Sequence, residues 1–128
     1  MFYTAEEKQR MDQVLAAFGE YIEGNDWFDI CYSPKIGYFF ILIDKKYGRI
    51  CPPMVIEGFD ALLTELFFHV GHDVRDLDLT GEYHDDIELF PIEIEETRRR
   101  LLAILNTLDE DKEYCIARME HYLEHVND

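Results

Sequence analysis

Gly37-Tyr38-Phe39-Phe40-Ile41-Leu42-Ile43-Asp44 is the stretch on which the fold turns. It is short, aromatic and β-branched, the pattern of a central strand covered on both faces. Upstream, Trp27 to Tyr32 alternates partly, and Ser33-Pro34-Lys35 breaks it. Downstream, Lys45-Lys46-Tyr47-Gly48 reads as a hairpin turn in which Gly48 supplies positive φ. Arg49 to Cys51 continues as a strand. Pro52-Pro53 cannot donate ladder hydrogen bonds, so that strand ends there or lies at an edge, and Met54-Val55-Ile56 resumes it. These elements make an antiparallel meander of about three strands.

Helices flank the meander. Met11, Val14, Leu15, Phe18 and Ile22 recur at helical spacing and predict a first helix over 5–23. Thr4 and Glu7 are placed for a capping box, and Gly24-Asn25 for a left-handed stop. Phe59, Leu62, Leu63, Leu66, Phe67 and Val70 keep the period without a miss, predicting a central helix over 59–70 that Gly71 ends. Residues 72–90 show no regular period and read as a long acidic loop. Pro91 suits a first helical position, and Ile94, Leu101, Leu105 and Leu108 carry a helix over 92–108. A second capping box is expected at Thr107 and Glu110, followed by a last helix to Val126 with Cys115, Met119, Tyr122 and Val126 on one face. The short link between these two helices predicts an antiparallel pair.

The fold class is therefore α+β: a small antiparallel meander packed with an N-terminal helix, a central helix and a C-terminal helical pair. With 128 residues the chain is read as a single domain, 1–128, since domains cluster at about 100–150 residues.

Acids outnumber bases 28 to 12, for a formal charge of −16. That charge argues against direct binding to nucleic acid or to an anionic membrane, whose phosphates would be repelled. Tyr38 to Ile43 is the longest apolar run, far short of the ~20 residues of a membrane span. The first residues lack a basic region followed by an apolar one, and the cysteines Cys31, Cys51 and Cys115 form no CxxC pair. Both features point to a cytoplasmic protein whose cysteines are small buried hydrophobes.

The charge is concentrated. Residues 73–96 hold Asp73, Asp76, Asp78, Glu82, Asp85, Asp86, Glu88, Glu93, Glu95 and Glu96 against the single base Arg75. Such a cluster can bind a hard cation, engage a basic protein or keep the chain dissolved. A calcium loop is not completed: its third ligand position is Thr80, and Ile87 stands where a closing glutamate belongs. Asp73, Asp76, Asp78, Asp85, Asp86 and Glu88 are the candidate partner-binding residues.

His69 and His72, three apart at the end of the central helix, could share a metal with His84 and nearby acids. A histidine merely favoured by the dipole at a helix C-terminus is the plainer reading. His121-Tyr122-Leu123-Glu124-His125 matches the H-x-x-E-H pattern of zinc peptidases, but no third ligand follows it, so two histidines on a polar face are expected. Ser33 is the only serine, there is no phosphate-cradling glycine loop, and no catalytic residue or cofactor is assigned. Arg99 and Arg100 stand four residues after Glu95 and Glu96, as favourable helical ion pairs. Phe68 and Ile92 fall off their stripes, and with Phe2, Tyr3, Tyr47 and Tyr83 they either mark an exposed contact or cover a second face of the small sheet.

The functional expectation is a non-enzymatic acidic binding protein, an inhibitor or immunity-type protein that meets a basic, nucleic-acid-binding partner. One alternative is a small metal-binding protein or metal-dependent hydrolase built on His69, His72, His84 and neighbouring carboxylates. Another is a homodimeric structural subunit held by exposed aromatics.

Overall fold

The computed structural model describes residues 3–44, 49–82 and 88–128. Its element order is α1 (Ala5–Ala17), α2 (Gly19–Gly24), β1 (Phe28–Ser33), β2 (Gly37–Asp44), β3 (Arg49–Ile50), β4 (Met54–Val55), α3 (Phe59–Asp76), α4 (Pro91–Leu105) and α5 (Lys112–Glu124). The fold is α+β with an antiparallel sheet. The chain divides into two compact units, Met1–Leu62 and Leu63–Asp128.

In the first unit β2 is the central strand. β1 pairs along one side, from Phe28 opposite Leu42 to Ser33 opposite Gly37. β3 and β4 follow each other along the other side. Ile50 faces Ile43 in β3, whereas Val55 faces Phe39 in β4, so the register slips by one residue between them. Pro52-Pro53 occupies the slip, where the missing N–H groups cost no ladder bond. Phe40 and Gly37 are buried but the rest of β2 is only half-buried, so the strand is not covered on both faces as its composition suggests. The expected 45–48 turn lies outside the described residues. Cys31 is half-buried and Cys51 exposed, leaving Cys115 as the one fully buried thiol. Cys31 belongs to an edge strand and Cys51 lies just before the prolines, so neither has two covered faces.

The expected first helix is broken at Phe18 into α1 and α2. Met11, Val14 and Phe18 are buried as the period requires. α2 ends through the Asn25 side chain, not a left-handed residue: Asn25 is extended, its amide donates to Ile22 and its Oδ1 accepts from Phe28 N–H. Thr4 Oγ1 accepts from Glu7 N–H, but the Glu7 carboxylate does not close the capping box. It accepts instead from Phe59 N–H at 2.9 Å, filling the N-terminus of α3 from 52 residues away in sequence.

Tyr3 locks the start of β2. Its hydroxyl accepts from Tyr38 N–H, and the Tyr38 hydroxyl donates to Asp12 on α1. Gly37 lets this contact form. It has φ +89°, and a Cβ there would lie 2.7 Å from Tyr3 Cζ.

In the second unit, α4 and α5 are antiparallel. Arg98 in the middle of α4 donates to Glu120 in the second half of α5 at 2.9 Å. The Asn127 side chain receives Leu89 N–H and donates to Leu89 C=O, both at 2.8 Å. The helices are joined through 106–111 without the second capping box, because Thr107 Oγ1 turns back to Ile104 C=O and Asp111 precedes α5 in a left-handed conformation. The inner stripe of α4 is Glu93, Thr97, Leu101 and Leu105, and that of α5 is Cys115, Met119 and Leu123.

Gly37→Ala is expected to destabilise the protein by about 1–3 kcal/mol, the cost of a side chain held at positive φ, with the Tyr3 clash added. Gly24→Ala, with open space around it, should be nearly neutral by the same urea titration.

Candidate functional site

The central helix does not stop at Gly71; α3 runs on to Asp76. Gly71 is a packing glycine. A Cβ there would sit 3.4 Å from Leu89 Cδ1 and 3.9 Å from Thr97 Cγ2, so the backbone of α3 is closely approached on that side. Val74 is fully buried and carries the apolar stripe of Val70 one turn further. The signal was present in the sequence, since Val74 keeps the i+4 spacing, but a glycine conventionally marks a stop.

This extra turn changes what the histidines can do. With the helix continuous, His69, His72, Asp73 and Asp76 fall at i, i+3, i+4 and i+7, one face of α3. His72, Asp73 and Asp76 each bring a ligand atom within 4.8 Å of the others. His72 Nδ1 stands 3.4 Å from Asp76 Oδ2. One imidazole and two carboxylates are a donor set that suits a divalent ion.

His69 does not join that group. It is 2% exposed, inside the helix and not at its end, so the expectation of a dipole-stabilised terminal histidine is corrected. Burial, with the nearby His72 second, lowers its pKa to about 4, leaving the ring neutral at neutral pH. Glu65 Oε2 lies 3.7 Å from its Nε2, beyond hydrogen-bond length, and burial raises the Glu65 carboxyl. Tyr122 is pushed up to about 12 by burial and, secondarily, by Glu65.

The partner-binding candidates divide. Asp76, Asp78 and Glu88 are exposed and Asp73 is half-buried. Asp78 adopts φ 54° just past the helix, and Gly81 follows with φ 69°. Asp85, Asp86 and His84 lie outside the described residues. The acids that close the segment are occupied: Glu93 is buried and accepts from Phe90 N–H at 2.7 Å. Glu95 pairs with Arg98, and Glu96 pairs with both Arg99 and Arg100. Of the expected i,i+4 pairs Glu96–Arg100 is present, Arg99 takes Glu96 at i,i+3 instead of Glu95, and Arg98 also reaches Glu120.

Beside His72 is a shallow surface groove of about 10 Å³, room for a single water, lined by Phe68, Gly71, His72, Arg75, Leu89 and Tyr122 with Val126. Phe68 and Ile92 are exposed, as their places off the apolar stripes imply.

Comparison with known protein families, with curated proteins and with solved structures finds no match.

The sign of the His69 shift sets a pH dependence. Its folded pKa is depressed, so its contribution is complete above the unfolded value near 6.5 and is lost as pH falls to about 4. Between pH 7 and pH 5 the protein should lose about 2 kcal/mol that the His69→Gln variant does not lose. Paired urea titrations at the two pH values check this. The raised Glu65 carboxyl acts in the opposite sense and is common to both proteins.

Proposed function

We propose that this is a non-enzymatic binding protein that engages a basic partner through its carboxylates, as an inhibitor or immunity-type protein does. The distribution of its ion pairs carries the reading. The chain has a net charge of −16 and 12 bases, and Lys8, Arg98, Arg99 and Arg100 already face carboxylates of their own chain. These pairs consume cations while the exposed Asp76, Asp78, Glu82 and Glu88 remain directed to solvent. A field of one sign speeds encounter with an oppositely charged protein and repels nucleic-acid phosphates.

A metal-binding reading rests on one observation, the convergence of His72, Asp73 and Asp76. It differs from the sequence-based candidate set in using neighbouring acids of the same helix. Elemental analysis of the purified chain separates the two: bound metal in stoichiometric amount, lost in His72→Ala, favours the metal reading.

For the leading reading, a captured basic partner should be released between about 0.1 M and 1 M salt, as the Debye length falls from ~10 Å to ~3 Å. A variant carrying Asp73→Asn, Asp76→Asn, Asp78→Asn and Glu88→Gln should hold that partner more weakly at low salt. Equal retention at both salt levels by both proteins rejects the proposal.

A further inference from the structure

The H-x-x-E-H segment at the end of α5 brings its two histidines together. His121 stands in the last turn of α5 and His125 at its C-cap, four residues on, and their ring centroids are 4.7 Å from each other. Both are exposed, on the side of the helix away from the buried Cys115, Met119 and Leu123. Two imidazoles at i and i+4 can reach a single ion.

The second observation concerns the tautomer. His125 Nδ1 lies 2.7 Å from Asp128 Oδ2. If Nδ1–H is donated to that carboxylate, Nε2 keeps its lone pair for a metal. A carboxylate bonded to the far nitrogen of a ligand histidine is the usual outer-shell support of such centres: it fixes the ring and raises its basicity. The chain's negative charge adds a general attraction for cations.

We infer that His121 and His125 form a surface site for a divalent transition ion, Cu²⁺ or Zn²⁺, with Asp128 as the residue that orients His125. Imidazole nitrogen suits these ions, and Cu²⁺ is bound most strongly in the first-row series. The protein supplies two nitrogens and solvent the remaining positions. The site is independent of the carboxylate surface and of His72, Asp73 and Asp76, and it binds without hydrolysing.

The test is titration of the full chain with Cu²⁺ alone at neutral pH, followed by calorimetry and by electron paramagnetic resonance. The first equivalent should show hyperfine structure from two imidazole nitrogens. His121→Ala should retain one nitrogen and bind roughly tenfold or more weakly, while Asp128→Asn should keep both nitrogens and lose about tenfold in affinity. His72→Ala should leave the first equivalent unchanged, which separates this site from the α3 group. All three positions are at least half-exposed or at the helix end, and circular dichroism verifies that α5 persists. Equal binding by the native protein and His121→Ala, or loss of the first equivalent in His72→Ala, overturns the inference. Unchanged affinity in Asp128→Asn overturns the role given to Asp128.

Discussion

Helix α3 passes Gly71 in contact with its neighbours: a Cβ there would lie at ordinary van der Waals distance from Leu89 and Thr97. A glycine inside a helix costs about 0.5–1 kcal/mol relative to alanine. Here that cost is offset by contact, since the apolar stripe continues through Val74 and the helix reaches Asp76. The grouping of His72, Asp73 and Asp76 depends on this continuity. Had the helix ended at Val70, His72, Asp73 and Asp76 would belong to a loop with no common face. Because it does not end there, periodicity alone brings an imidazole and two carboxylates together.

Three polar side chains of the second unit, Glu93, Thr97 and Asn127, each satisfy a backbone group. Glu93 accepts from Phe90 N–H and caps the start of α4. Thr97 Oγ1 donates to Glu93 C=O. Asn127 closes both backbone groups of Leu89, tying the entry of α4 to the end of α5. Burial of such groups without partners is expensive, so they pin the geometry of the helical pair more sharply than apolar packing can. In the first unit Glu7 has the same part at the start of α3, while Asp12 accepts from the Tyr38 hydroxyl.

Electrostatics separates residues that look equivalent in sequence. The acids of 73–96 form one dense run, but the run has two ends of different character. Glu93, Glu95 and Glu96 are absorbed into helix capping and arginine pairs. Asp76, Asp78 and Glu88 face solvent and carry the outward field. Exposed pairs such as Arg99–Glu96 contribute little stability, about 0–1 kcal/mol. Their larger effect is on where uncompensated charge remains.

Much of this was legible from residue pattern alone. The α+β class, the antiparallel meander interrupted at Pro52-Pro53, the six buried positions of α3 and the helix start at Pro91 follow from spacing and from backbone chemistry. Local rules are reliable where one residue type has one physical consequence, as with a proline lacking its N–H. They fail where a residue has two. Gly71 serves as a helix stop or a close contact, Glu7 caps its own helix or another, and His69 is a terminal cation or a neutral core ring. Those choices depend on which atoms arrive from distant parts of the chain, and tertiary packing alone supplies them.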